Sequence, residues 1–208
     1  MRKIFLVVFA ALLLVSTAAV ADTIIYPIGQ ASTDGFNQGG GVGETPRGWD
    51  FVIDQPIYVE QLGVNAAFSL PVTMSLWDVT TQTLLGQTTV NAQPYTWEFA
   101  DLANAIALTP GDTYSVIGWA DTTNYGQAWY IYNNTPPSQF NPTGTVTYLN
   151  VRFDNGIGSD QFPTGTLGAP AQYGVADIGY TLVPEPGTAG LIGVGFGLMS
   201  LICRRFKL

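Results

Sequence analysis

Side chains along most of this chain alternate with a period of two, and no other feature constrains the fold as much. In Val72-Thr73-Met74-Ser75-Leu76-Trp77-Asp78, Val72, Met74 and Leu76 fall on one face and Thr73 and Ser75 on the other. Successive side chains of a strand point to opposite faces, so the pattern marks a strand with one face on a core. The same reading predicts strands over 48–53, 57–64, 84–90, 95–99, 113–120, 128–132, 146–153 and 175–182. Turn chemistry separates them at Asp54-Gln55-Pro56, 80–83, Pro110-Gly111-Asp112 and Asp154-Asn155-Gly156. No amphipathic helix emerges in this region, and 100–105 has room for one helical turn at most. About nine short strands, with 24 Gly and 13 Pro in 208 residues, predict an all-β, antiparallel β-sandwich of jelly-roll-like type rather than a barrel or propeller. No repeat of 20–50 residues is present, and 35–43 and 133–144 read as long loops.

The two ends follow different rules. Arg2 and Lys3 precede an unbroken apolar run from Ile4 to Val15, and Ala19-Val20-Ala21 places small residues where a signal peptidase needs them. Residues 1–21 are expected to be a signal peptide cleaved after Ala21; the competing reading is an uncleaved anchor. At the other end 187–203 carries no charge and is followed by Arg204, Arg205 and Lys207. As a helix these 17 residues would span about 25 Å, a little short of the roughly 30 Å hydrocarbon core. Five glycines make the segment a poor soluble helix but are tolerated in lipid. It reads as a marginal C-terminal transmembrane helix. Basic residues at both extremes are consistent with two cytoplasmic ends and export of everything between them.

Val183-Pro184-Glu185-Pro186, the Gly/Leu-rich apolar segment and Arg204-Arg205 together resemble the PEP-CTERM protein-sorting signal of exopolysaccharide-producing Gram-negative bacteria. The resemblance covers 184–208 and its immediate neck. It implies processing by exosortase, a membrane-embedded, cysteine-dependent, transpeptidase-like enzyme that cuts near the motif and releases or attaches the protein outside. The segment departs from the pattern in carrying Gly193-Val194-Gly195-Phe196-Gly197 where leucine is usual, and in ending Arg-Arg-Phe-Lys. Backbone chemistry agrees with a removable tail, because Pro184 and Pro186 keep the chain around Glu185 out of helix and sheet ladders. Cys203, the single cysteine, reads as an ordinary small apolar residue at the inner interface.

Residues 22–183 form the exported domain and hold two basic residues, Arg47 and Arg152, against fourteen acidic ones, a formal −12. Nucleic acid and bare anionic lipid are unsuitable partners for such a charge. The absence of histidine and the lone cysteine exclude Ser-His-Asp and Cys-His sites, histidine-ligated metal and an internal disulfide framework. No cofactor is implied.

Three constellations carry candidate chemistry. Trp119, Trp129, Tyr130 and Tyr132 are expected on neighbouring strands, with Trp129 and Ile131 toward the core and Tyr130 and Tyr132 on the other face. Pyranose rings stack on planar aromatics through their apolar C–H faces, which makes Tyr130, Tyr132 and Trp119 candidates for glycan stacking; the competing reading is core packing. Asp154-Asn155-Gly156-Ile157-Gly158-Ser159-Asp160 offers Asp154 and Asp160 as weak calcium candidates, although it lacks the EF-hand order and its terminal Glu. Paired carboxylates drawn from Glu44, Glu60, Glu98 and eleven Asp would suit a glycoside hydrolase only at the correct separation. Glu60 and Glu98 are expected to face solvent.

Residues 48–117 also resemble, more loosely, exported β-sandwich domains of unknown function. The likeness is carried by Trp49-Asp50-Phe51-Val52-Ile53, Ile57 to Val64, Ser75-Leu76-Trp77-Asp78 and Leu108-Thr109-Pro110-Gly111-Asp112-Thr113-Tyr114. It implies fold and export without an activity. Taken together, the residues predict a non-enzymatic protein of the cell surface or extracellular matrix of a biofilm, with a structural or adhesive role among exopolysaccharides. Its processing partners would be signal peptidase and exosortase. The alternative is a secreted, polysaccharide-active enzyme using paired carboxylates.

Overall fold

The computed structural model describes residues 23–25, 37–38, 42–132, 145–167 and 175–183. Up to Leu182 they belong to one compact unit, Asp22–Leu182. The expectations for Ala19, Ala21, Pro184, Glu185, Pro186, the apolar segment 187–203, Arg204, Arg205 and Lys207 lie outside the described residues. So do the loop 133–144 and most of 35–43.

Twelve strands are described: β1 (Thr23–Ile25), β2 (Asn37–Gln38), β3 (Arg47–Ile53), β4 (Ile57–Asn65), β5 (Leu70–Asp78), β6 (Thr83–Ala92), β7 (Trp97–Leu108), β8 (Thr113–Trp119), β9 (Ile131–Tyr132), β10 (Val146–Phe153), β11 (Gly165–Leu167) and β12 (Ala176–Leu182). They form a four-stranded sheet in the order β1-β12-β4-β7, a six-stranded sheet in the order β11-β10-β3-β8-β5-β6, and the pair β2-β9. Every ladder is antiparallel.

The pairing is nested. The hairpin β5/β6 lies innermost, and β4/β7, β3/β8, β2/β9 and β1/β12 enclose it in turn. One long antiparallel ribbon therefore runs from both ends of the domain to the turn at 79–82. Because its successive strand pairs lie in different sheets, the ribbon folds over a core instead of lying flat. The contacts β4 to β12 and β5 to β8 close the rolled ribbon laterally.

Alternation decides what enters the core. Trp49, Phe51 and Ile53 of β3, Val72, Met74 and Leu76 of β5, and Tyr114 and Val116 of β8 meet Leu62 and Val64 of β4 and Ile178 and Tyr180 of β12 in one apolar cluster. Trp49 also ties the two sheets together by a hydrogen bond, its Nε1 donating to the Ala176 carbonyl at 2.7 Å. The outer faces of β3 and β8 are buried as well: Asp50, Ser115 and Ile117 are 1%, 0% and 2% exposed. A strand in the middle of a sheet loses both faces to solvent only where something covers the second one.

Two expectations change. The short strand 95–99 and the single helical turn at 100–105 are one strand, β7, whose register against β4 jumps from Gln61↔Asp101 to Val59↔Ile106. Four residues of β7 thus stand opposite the one residue Glu60, a large bulge. It brings Leu102 and Ile106 onto Gly86 of β6, where an added Cβ would lie 2.4 Å from Ile106 Cδ1. The bulge carries apolar side chains from one sheet edge to the other.

The second correction concerns 128–132, of which only β9 is strand. Ala128, Trp129 and Tyr130 are all buried, so alternation fails there. Trp129 donates from Nε1 to the Thr45 carbonyl at 2.9 Å. Its ring occupies the space above Gly118, where a Cβ would approach the Cη2 atom to 2.7 Å. This segment plugs the core.

Candidate functional site

The sequence singled out residues of the 119–132 and 154–160 stretches, and Arg47 joins the two stretches through Tyr130, Asp154 and Asn155. Leaving β10, residues 154–164 make a loop that returns to β11. Asp154 closes its base: the carboxylate accepts from the Asn155 amide (2.8 Å), the Thr164 amide (3.2 Å) and Thr164 Oγ1 (3.2 Å). These donors, led by the Asn155 amide, hold the Asp154 carboxyl below the usual carboxylate range. Compact loops whose ends meet in this way pack by their own side chains.

The loop lies across the outer face of β3, β8 and β5 and supplies their missing cover. Trp119 Nε1 donates to the Ile157 carbonyl at 2.7 Å, Gln87 Nε2 to the Ser159 carbonyl at 3.1 Å, and Arg152 Nη1 to the Pro163 carbonyl at 3.2 Å. Phe162 packs with its centroid 5.6 Å from that of Trp77, beneath the Arg152 guanidinium at 4.7 Å. Of the two calcium candidates, Asp154 has both carboxylate oxygens engaged in closing the loop, and Asp160 is exposed. Among the described residues no three His, Cys, Asp or Glu side chains are grouped to hold a metal ion.

Tyr130 is not a stacking platform. It is 5% exposed, and the Arg47 guanidinium covers its ring, 4.3 Å from the centroid. Arg47 Nη2 donates to Tyr130 Oη (3.2 Å) and to Asn155 Oδ1 (2.8 Å), while Nη1 donates to the Pro46 carbonyl (2.7 Å) and to the Asp154 carbonyl. Trp119 is half-buried under the loop. Tyr132 pairs with Asn37 in the β2-β9 ladder, and its side chain lies outside the description. Strand periodicity distinguishes two faces of a strand but not which of them another segment covers.

The second arginine is also internal. Arg152 is 8% exposed and Asp50 1%; Nε donates to Oδ1 at 2.9 Å and Nη2 to Oδ2. Both basic side chains of 22–183, Arg47 and Arg152, are therefore inside the protein. Tyr148, near the same carboxylate, has its phenol pushed up by burial and secondarily by the Asp50 charge.

The other described carboxylates have their own partners and surroundings. Glu60 and Glu98 are half-buried, and Glu60 Oε1 accepts from Thr181 Oγ1 at 3.2 Å. Asp101 accepts from Gln61 Nε2 at 2.8 Å, and Glu44 is exposed in a bridge to Asp121. Asp177, opposite Gly63, is wholly buried; its Oδ1 accepts the Ile178 amide at 2.7 Å, and Oδ2 finds no hydrogen-bond partner among the described residues. Burial raises this carboxyl well above its ordinary range.

Exposed aromatic rings occur elsewhere, on loops that sequence reasoning passed over. Tyr95 is 53% exposed and Tyr125 49%. They lie on 93–96, between β6 and β7, and on 120–130, between β8 and β9; the loop 66–69 between β4 and β5 joins the two. The Tyr95 amide donates to the Ala66 carbonyl, and the Ala67 amide to the Trp129 carbonyl, both at 2.8 Å. Ser69 Oγ donates to Gln93 Oε1 at 3.2 Å, and the Phe68 and Tyr125 ring centroids are 5.1 Å apart. Tyr95 adopts φ 56°, a left-handed backbone that a bulky side chain takes only when its surroundings enforce it. The signal in the sequence was a tyrosine between Pro94 and Thr96, at a turn instead of in the predicted strand 95–99. Comparison with models of known protein families gives no match, and comparison with curated proteins gives none.

Proposed function

We propose that the protein is an exported β-sandwich of jelly-roll-like type, sorted by exosortase to the cell surface or extracellular matrix, with a structural or adhesive role in a polysaccharide environment. The observation that carries this reading is the three-part C-terminal pattern of Pro184-Glu185-Pro186, an uncharged apolar segment and Arg204-Arg205 with Lys207. A signal peptide ending at Ala21 opens the export route, and the apolar tail holds the precursor in the membrane until exosortase acts. The nested ladder, five strand pairs deep, supports the jelly-roll assignment, since a rolled antiparallel ribbon is the topology of that fold, which in its usual form has eight strands. The charge supports the environment: a domain with a formal −12 and both its arginines buried stays soluble and avoids nucleic acid and anionic lipid.

Cell fractionation of a Gram-negative host that carries exosortase tests the reading. Glu185→Ala, or truncation after Val183, should shift the protein to a different fraction while the domain keeps its thermal unfolding transition. Ala21→Phe should block removal of the signal peptide. Unchanged localisation of the Glu185→Ala protein, or Met1 at the N-terminus of exported wild type, overturns the proposal.

A further inference from the structure

From the placement of Phe68, Tyr95 and Tyr125 on three linked loops, we propose that this end of the domain is a binding site for neutral polysaccharide. The inference rests on the export reading above and assigns it a ligand class and a site.

Tyr95 and Tyr125 each leave about half of their surface to solvent, although a tyrosine gains most by burying its ring. Each ring is a flat apolar face with a hydroxyl at its edge. Such a surface suits the C–H face of a pyranose, whose hydroxyls radiate outward. Ser69 occupies Gln93 Oε1, which leaves the Gln93 amide nitrogen, together with exposed Asn124, to meet sugar hydroxyls beside the rings.

No residue in 66–69, 93–96 or 122–127 is charged, on a domain that carries a formal −12. The neighbouring Asp121 carboxylate turns onto Thr123, accepting from its amide at 2.9 Å and its Oγ1 at 2.7 Å. With Arg47 and Arg152 both buried, no exposed arginine or lysine side chain of 22–183 is there to hold an anionic polymer. A ligand without carboxylate, sulfate or phosphate is left.

The Tyr95 and Ala67 amides fasten the loops to each other and to the core-filling Trp129 segment, and the Tyr95 backbone is held in its left-handed conformation. Binding then orders little of the protein, which keeps the entropic cost low. Two half-exposed rings with polar neighbours offer far less apolar area than a stable protein interface, which buries on the order of 1,200–2,000 Å². A sugar chain of a few residues matches the patch better than a folded partner.

The test uses the full chain in mild detergent and affinity electrophoresis through gels containing dextran, galactan or galactomannan, with polygalacturonate as the acidic control. Wild type should be retarded by at least one neutral polymer, equally at low and high salt. Tyr125→Ala and Tyr95→Asn should each weaken binding roughly three- to tenfold, the scale of one aromatic contact. Asparagine at 95 accepts the left-handed backbone, so loss of the ring is separated from loss of the turn. Tyr58→Ala, which removes an exposed ring on β4, should leave binding unchanged. No retardation by any neutral polymer, equal weakening by Tyr58→Ala, or retardation by polygalacturonate alone overturns the inference. None of these outcomes touches fractionation of the Glu185→Ala protein, so the site and the sorting reading fail separately.

Discussion

Replacing Asp50 by asparagine removes the charge facing Arg152 and leaves a side chain of the same size. The side chains of the pair are 9% and 2% exposed for Arg152 and Asp50, so water cannot replace the lost partner. Taking one member from a buried ion pair costs about 3–5 kcal/mol, because the remaining charge is uncompensated. Arg152 keeps the Pro163 carbonyl at 3.2 Å and the face of Phe162 at 4.7 Å, which places the loss in the lower part of that range, about 3–4 kcal/mol. In a domain of this size each kcal/mol moves Tm by about 2–4 °C, so a fall of roughly 6–16 °C is expected. Removing both charges together, as in Asp50→Leu with Arg152→Met, should recover more than half of that loss, since neither charge of the pair is left without its partner. Thermal and urea unfolding of wild type, both single variants and the double variant at pH 7 measure the coupling directly. Repeating the melts at high salt should leave the losses nearly unchanged, because screening by mobile ions acts mainly on exposed charges. A loss below about 1 kcal/mol for Asp50→Asn, or a double variant that loses the sum of the singles, would refute the view that this pair holds the loop 154–164 to the sheet.

Asp177 makes stability depend on pH in the direction of a raised carboxyl: its contribution is whole below the ordinary carboxylate pKa and is lost as pH rises through the folded value. Asp177→Asn should therefore gain on wild type as pH rises above the ordinary carboxylate pKa, and a Tm difference that does not change with pH would count against the assignment. Asp154→Ala opens the base of the 154–164 loop and should cost about 1 kcal/mol, with new proteolytic cuts inside 155–163. The lowered pKa of Asp154 has the opposite sign, so this contribution is present above the ordinary carboxylate pKa and fades as pH falls; a cleavage pattern identical to wild type would remove the role given to its carboxylate.

Strand periodicity and turn residues placed most of the sheet, because both are local properties of the backbone. Val146–Phe153 begins and ends where alternation predicts, and the turns at Pro110-Gly111 and Asp154-Asn155-Gly156 carry glycines with φ 91° and 73°. The errors fall where distant segments override the local pattern. Leu102 and Ile106 have helical spacing, yet their apolar side chains are better buried across the sheet edge over Gly86 than on a free turn. Tyr130 has the polarity of an outward residue and is inside, because Arg47 and the 154–164 loop arrive over it from elsewhere in the chain.

The sequence alone therefore determines the alternation that builds the strands, the excess of carboxylates and the two address-like ends, since each is written in consecutive residues. The tertiary structure alone decides which faces remain open. It buries the domain's only two arginines, converts a calcium-like loop into the cover of a sheet, and leaves Tyr95 and Tyr125 in solvent. Exposure depends on contacts between residues far apart in the chain, such as Arg47 with Asn155 and Ala67 with Trp129. Local spacing carries no information about such contacts, because they form only when the nested ribbon rolls up.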